Sequence, residues 1–360
     1  MSKIQFDVPF ILFANCIPVR GYKRSIIYDL QKQEYVFIPN SLYEILVNYN
    51  SKSISYIINL EKYKESKHII IEYFEYLLQQ KLMFFSHQTK NFPSIKQYWD
   101  HPSIISNSII EIGVKYKEFN YNDIISQLSE LGCKSLQIKS YTNLDDKFLF
   151  KILDFPSDNI IRDLQVVLKY NGYNDLYYAK IHESNIRLSK LYIHSSPENK
   201  EKQLSKNNNL FPVFLSQEVI QNHNHCGYIS PTYFDVNIDM YMESQQFNSC
   251  LNRKISVDTE GNIKNCPSMK KSFGNIQNTT LKEAIGIQGF KDTWSINKNQ
   301  IEVCKDCEFR YMCTDCRAFI QDSINIYSQP AKCGYNPYIG LWKGEKLWES
   351  VEQTKINLLK

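Results

Sequence analysis

The sequence predicts an α/β protein made of an N-terminal α+β unit, a core of alternating strands and helices, and a cysteine-rich C-terminal part. Three observations carry that expectation. Across residues 105–220 the apolar pattern alternates between strand and helix periods, the order of a parallel sheet with crossover helices. Seven of the ten cysteines fall between Cys250 and Cys333. The first 90 residues mix short strand-like and helical runs and end at a polar, proline-containing stretch. The expected boundaries are 1–90, 103–224, 225–340 and a tail at 341–360.

In the first unit, Val8–Val19 reads as one buried strand, broken by Pro9, Asn15 and Pro18 and too short to cross a bilayer. Ser25–Leu30 and Glu34–Ile38 read as strands around a short turn. Leu42–Tyr49, Ser53–Leu60 and Lys67–Lys81 carry helical periodicity, and Leu82–Phe85 is a final strand. This content suits a winged-helix-like unit, and equally a generic α+β subdomain with no binding role. Asn91, Pro93, Trp99, Asp100 and Pro102 mark a linker. In the core, Ile109–Lys115, Lys134–Ser140, Asp163–Tyr170 and Leu188–His194 are strands. Asn122–Leu131, Asp146–Leu153 and Asn174–Glu183 are the helices between them. That order predicts a parallel sheet, open or curled into a partial barrel. Asn207–Asn209 is a short polar loop.

Composition narrows the function. With 42 basic and 38 acidic residues, the net charge of +4 is too balanced to indicate a nucleic-acid partner. No apolar run suits a membrane span or a cleaved signal, so a cytoplasmic setting is expected. In a reducing compartment, clustered cysteines point to metal or redox chemistry rather than to disulfides.

The cysteines have a definite pattern. Cys250 is followed by ten residues, Gly261, four residues and Cys266, with Ile255–Asp258 and Asn262–Asn265 alternating like the arms of a hairpin. Glycine fits the turn because tight hairpins demand positive φ. Next comes Cys304-x2-Cys307-x5-Cys313-x2-Cys316, and Cys333 lies sixteen residues further on. Two Cys-x2-Cys pairs let four thiolates converge on soft metal. Zinc ribbons usually separate such pairs by roughly 15–20 residues, which sets clusters ahead of a structural zinc on Cys304, Cys307, Cys313 and Cys316. Seven thiolates and one further ligand serve two four-ligand sites.

This pattern resembles the SPASM domain, the auxiliary-cluster domain of radical S-adenosylmethionine peptide-modifying enzymes. That family reads Cys-x(9–15)-Gly-x4-Cys, then Cys-x2-Cys-x5-Cys-x3-Cys, then a last Cys. Cys250, Gly261, Cys266, Cys304, Cys307, Cys313, Cys316 and Cys333 match it. One spacing departs, since two residues rather than three separate Cys313 from Cys316. The resemblance implies two [4Fe–4S] clusters, one on Cys304, Cys307, Cys313 and Cys333, the other with three corners on Cys250, Cys266 and Cys316. The family's eighth ligand has no counterpart in Tyr241–Ser249. Cys226 could fold back into that role, or stay a packed thiol beside an open iron. The segment Cys304–Phe319, with Asn15-Cys-Ile-Pro18, resembles more closely the SPASM peptide maturases of grasp-with-spasm systems. It implies a degenerate partial (β/α) radical-SAM-like barrel, a ribosomally made precursor peptide, an ATP-grasp ligase as partner, and a leader-peptide recognition role for the first unit.

Two motifs of active radical S-adenosylmethionine enzymes are absent. Tyr116–Tyr121, after the first core strand, holds no cysteine, so Cys-x3-Cys-x2-Cys is missing. Lys139–Asn143 stands where a Gly-Gly-Glu loop would follow the second. Cleavage of S-adenosylmethionine is therefore not expected, and no catalytic residue stands out. His223-Asn-His-Cys226 reads as a metal or base motif or as a plain surface loop. Asp306, Glu308, Arg310, Asp315 and Arg317 read singly as solvated surface, together as tuners of clusters or contacts to a peptide. The functional expectation is a peptide maturase. Its rivals are a non-catalytic peptide adaptor with structural clusters and a zinc-stabilised DNA-binding regulator.

Overall fold

The computed structural model describes residues 3–156, 158–206 and 209–358. The extreme ends of the first unit and of the tail, and Asn207 and Asn208 of the expected loop, lie outside the described residues.

The first unit contains β1 (Phe10–Leu12), β2 (Cys16–Val19), β3 (Ser25–Asp29), β4 (Glu34–Ile38), α1 (Asn40–Asn48), α2 (Ile54–Ile58), α3 (Lys67–Gln79) and β5 (Met83–Phe85). The single strand expected over Val8–Val19 is two. The chain turns between them, where the Cys16 N–H donates to the Phe13 carbonyl at 2.8 Å and Asn15 Nδ2 donates to Asp29 Oδ1 at 2.7 Å. As a result β1 pairs with β5, while β2 joins the antiparallel sheet β2-β3-β4. Both faces of β3 are buried. Ile27 packs into the helical core with Leu42, Ile45, Ile57, Phe74 and Leu77. Ile26 and Tyr28, on the opposite face by the two-residue period of a strand, pack with Phe309, Tyr311, Met312 and Tyr335 of the cysteine-rich part.

The core continues with β6 (Asn107–Ile112), α4 (Tyr121–Glu130), β7 (Ser135–Ser140), α5 (Asp146–Leu153), β8 (Asp163–Lys169), α6 (Asp175–Ser184) and β9 (Leu188–His194). Asn120, Asp145 and Asn174 cap the three helices by accepting the N–H three residues on. The first strand starts two residues earlier than expected and ends at Ile112, because Gly113 begins a turn into a short 3-10 segment at Tyr116–Glu118. A hairpin that the periodicity did not reveal follows: β10 (Lys200–Lys206) and β11 (Asn209–Leu215). Then come α7 (Ile238–Gln246), β12 (Lys254–Val257), β13 (Ile263–Lys264), α8 (Leu281–Gly286), β14 (Tyr335–Asn336), β15 (Leu341–Trp342) and α9 (Val351–Leu358). The last two lie in the stretch expected to be a tail.

The sheet order is β10-β11-β9-β8-β7-β6-β12-β13, parallel from β11 to β12 and antiparallel at both outer pairs. The α/β expectation thus holds as a mixed, mostly parallel sheet of eight strands. Ile110, Ile138, Val166 and Leu191 of the strands share one apolar core with Ile124, Leu128, Leu149, Ile152 and Ile181 of the helices. Ile255, Val257, Ile263, Phe273 and Ile285 belong to the same core, so the cysteine-bearing hairpin β12–β13 is built into the sheet. Among the described residues, no helix is long and apolar enough to cross a membrane.

One ion pair ties the first unit to the cysteine-rich part. Arg24 Nε donates to Glu308 Oε1 at 2.9 Å, and the Glu308 side chain is fully buried. Tyr335 OH donates to the same oxygen, and Tyr28 OH donates to the Glu308 carbonyl at 3.0 Å. Removing one partner of a buried pair strands the other charge. Arg24→Ala is expected to lower unfolding stability by about 3 kcal/mol, read from urea titration. Adding Glu308→Gln should recover part of that loss, because the stranded charge is then gone.

Candidate functional site

Four of the cysteines surround one cavity. The pair Cys304 and Cys307 sits on a 3-10 turn closed by the Cys307 N–H on the Cys304 carbonyl, at 3.0 Å. With Cys313 and Cys333 they line a small, largely apolar pocket, together with Lys298, Arg310 and Gln329. Arg310 Nε and the Gln329 side-chain oxygen are buried there without a hydrogen-bond partner. Lys298 is 4% exposed, and its Nζ donates to Cys313 Sγ at 3.0 Å and to the Thr314 carbonyl at 3.2 Å. Burial pushes the Cys304, Cys307 and Cys313 thiols up, and the Lys298 ammonium draws Cys304 and Cys313 back down.

The other four are linked through charge and contact. Burial pushes the Cys266 thiol up to about 12, with Cys250 and Cys226 adding to the rise. Cys316 is raised by burial and then also by Cys250 and Cys226. Cys226 follows the turn His223–His225, and the next residue, Gly227, has φ +84°. A Cβ on Gly227 would stand 2.9 Å from Cys316 Sγ, so the glycine lets this loop close over that sulfur. The hairpin turn is shaped by Asp258, whose Oδ1 accepts from the Glu260 and Asn262 N–H groups, and by Gly261 at φ +79°. Lys254, at the start of β12, is half-buried and places its Nζ 3.6 Å from Cys250 Sγ.

The structure therefore places Cys304, Cys307, Cys313 and Cys333 around one pocket and sets Cys226, Cys250, Cys266 and Cys316 within electrostatic reach of one another. Cys16 and Cys133 stay apart from both, with burial pushing each thiol up to about 12. Among the described residues, no three His, Cys, Asp or Glu side chains converge as one metal ion would need.

The charged residues between the cysteines are not solvated surface, and that expectation is corrected. Glu308, Asp315 and Arg317 are buried. Asp315 Oδ1 accepts from Arg317 Nη2 at 2.7 Å and its Oδ2 from Asn248 Nδ2 at 2.6 Å. Arg317 Nη1 also donates to the Ile326 and Ser328 carbonyls, each at 2.8 Å. Arg310 bridges to the carbonyls of Arg20 and Cys307, and Asp306 accepts from Tyr338 OH. These groups are the scaffold of the loop, because a segment with little regular structure must satisfy its backbone through side chains. His225 does not serve Cys226: its Nδ1 lies 2.9 Å from Glu218 Oε1.

Three features carried no sequence signal. Lys298 and Lys254 look like ordinary surface lysines in a lysine-rich chain. Glu111, near the C-terminal end of β6, is 2% exposed, accepts from Tyr141 OH on one oxygen, and leaves Oε2 unpartnered with His223 Nδ1 3.9 Å away. The C-terminal ends of parallel strands are where α/β sheets usually hold ligands. There, His194 is also buried, with Nε2 donating to the Ser140 carbonyl at 2.9 Å. Burial pushes the Glu111 carboxyl up to about 7.

No protein-family model and no curated protein matches the chain. Among solved structures it is similar to SuiB of Streptococcus suis. The S-adenosylmethionine-bound form is 11% identical over 88% of this chain and 96% of SuiB, with a TM-score of 0.30. The form bound to the precursor peptide SuiA is 10% identical over 92% of this chain and 99% of SuiB, with a TM-score of 0.31. Likeness at that level carries no argument about activity.

A carboxyl raised in the folded state binds its proton more tightly there than in the unfolded chain, so the folded state loses stability as pH rises from the ordinary carboxylate range through about 7. Glu111→Gln should therefore raise stability at pH 8 by up to about 3 kcal/mol and have little effect at pH 4. Thermal unfolding at the two pH values checks this.

Proposed function

We propose that this chain is an iron–sulfur protein of peptide maturation. One [4Fe–4S] cluster would be held by Cys226, Cys250, Cys266 and Cys316, the other by Cys304, Cys307, Cys313 and Cys333. It would act on a ribosomally made precursor peptide together with an ATP-grasp ligase, in a degenerate radical-SAM-like scaffold with a C-terminal SPASM domain. The observation that carries the reading is the meeting of Cys304, Cys307, Cys313 and Cys333 around one pocket, with Lys298 Nζ 3.0 Å from Cys313 Sγ. Each set has a lysine ammonium against one of its sulfurs. The pocket beside Cys304, Cys307, Cys313 and Cys333 also holds the orphaned Arg310 Nε, a donor suited to an anionic body. When bound, such clusters supply one-electron transfer or a rigid staple. With a thiolate on every corner, neither would present an open iron to a peptide.

The chain's own residues would then do the binding. In β2-β3-β4, β4 is an outer strand, and Phe37 on it is 42% exposed. An extended leader peptide could add to such an edge through backbone hydrogen bonds. Arg24 lies over the Phe37 ring at 3.7 Å and also holds Glu308, the neighbour of Cys307. A peptide on β4 would then lie one side chain away from Glu308, the neighbour of Cys307. A non-catalytic adaptor is the second reading, favoured by the loop Gly113–Phe119, which carries no cysteine.

Anaerobic purification followed by iron, sulfide and zinc analysis tests the metal assignment. About eight irons per chain are expected, with a broad band near ~400 nm. One or two zincs without iron would sink it. Cys226→Ser should keep the second cluster intact and make the first labile, seen as loss of up to about four irons on brief exposure to air. If Cys226→Ser retains all its iron with unchanged spectra, Cys226 is not a ligand.

A further inference from the structure

A groove of about 510 Å³ runs between the cysteine-rich loop and the start of α9, within the ~300–1,000 Å³ range of ordinary ligand sites. The loop side carries Glu302 and Asp322. The side of the C-terminal segment carries Lys343, Lys355 and Glu352, with Trp348 in the wall. Val303, Gln329, Cys333 and Tyr335 line both this groove and the small cysteine-lined pocket, so they form the partition between the two. Two features of that partition are unusual. Gln329 is 3% exposed, and its side-chain oxygen has no hydrogen-bond partner among the described residues. Buried polar atoms are nearly always paired, so a lone one calls for an explanation. Val303 is the centre of a γ-turn of the strained, positive-φ kind, at φ 67° and ψ −45°, with the Cys304 N–H donating to the Glu302 carbonyl at 2.7 Å. A β-branched residue seldom takes that conformation, and such strain is commonly held at ligand sites. The turn sets Glu302 on the groove and Cys304 on the pocket, on opposite sides of Val303.

We propose that this groove binds a short extended peptide segment, held through its backbone by Gln329 and through its side chains by the two banks. A carboxamide carries a donor and an acceptor in one plane, the complement of a peptide group's C=O and N–H. The last torsion of a glutamine side chain is soft and roughly two-fold, so the amide turns readily toward a partner in the groove. Glu302 and Asp322 favour a basic side chain on the loop side. Lys343 and Lys355 favour a carboxylate on the other. Trp348 offers an apolar face between polar contacts. A small anion or a lone cation would engage one kind of charge and leave the amide unmet. This site is separate from the β4 edge and needs no metal on the cysteines, so it goes beyond the reading above.

The test is parallel selection of a displayed library of random short peptides on the full-length wild type and on Gln329→Leu. Enriched peptides are then synthesised and titrated with each protein by fluorescence anisotropy. Exchanging a buried, unpartnered amide for an apolar side chain of similar size removes a desolvation cost, so Gln329→Leu should melt no lower than the wild type. The expected result is a set of peptides carrying both a basic and an acidic group, enriched on the wild type alone. Gln329→Leu should bind them at least about tenfold more weakly. Reversing charge at two exposed positions, Lys343→Glu with Lys355→Glu, should also weaken them. If Gln329→Leu does not fold, that double variant takes its place in the comparison. Peptides enriched equally on wild type and variant, or none enriched on either, overturn the proposal. Iron is counted on every sample. Peptide binding that Gln329→Leu abolishes in iron-free protein upholds the groove while the metal assignment falls.

Discussion

The parallel ladder between β12 and β6 is the constraint on which the arrangement of the cysteine-rich part depends. It pairs Lys254 with Asn107 and Val257 with Ile110, with Ile255 and Val257 fully or almost fully buried. Cys250 lies just before β12 and Cys266 just after β13, so this ladder anchors both to the eight-stranded sheet. Were the hairpin free, its two cysteines would move with it. In the sheet they inherit the order of the core, while Cys226 and Cys316 arrive on loops that meet each other at Gly227. Lys115 and Glu260, paired at 2.7 Å, hold the hairpin turn to the loop after β6.

A second theme is how a region with so little regular structure stays folded. Between Ser295 and Tyr335 the chain has one short 3-10 turn and isolated bridges. Its polar groups are satisfied by a few buried charged side chains. Asp315 and Arg317 pair with each other and spend their remaining bonds on Asn248 and on two carbonyls, while Glu308 binds Arg24 and Tyr335. Such pairs add little net stability over apolar side chains, but removing one member is costly, so they fix a single loop geometry. That geometry delivers Cys304, Cys307, Cys313 and Cys333 to one pocket and turns Cys316, three residues from Cys313, toward the loop at Gly227.

The third element is β3, whose two faces serve two cores. Its alternation gives Ile27 to the N-terminal helices and Ile26 and Tyr28 to the aromatic cluster behind the second cysteine set. A peptide added to the sheet at β4 would therefore load a strand next to the one that buttresses Cys307 through Tyr28 and Glu308.

Much of this was legible in the chain before folding. Asp146–Leu153 and Leu188–His194 lie where their apolar periods place them, and the other core elements fall within one to three residues, because one-sided burial imprints a period on the sequence. The Cys-x-Gly-x-Cys hairpin was readable from the glycine and the spacing. The hairpin β10–β11 was not, since Lys200–Lys206 is polar but for Leu204, and Val8–Val19 concealed a turn at Asn15 within an apolar run. Asp315, Arg317 and Glu308 looked like surface because charge alone does not reveal a partner hundreds of residues away, as Arg24 is from Glu308. The sequence by itself determined the element order and the identity of the soft donors. Only the tertiary structure decided that the loop after Cys226 closes on the Cys316 sulfur, and that Lys254 and Lys298 each meet a sulfur. Those neighbours are set by how loops close on a sheet, which no local period encodes.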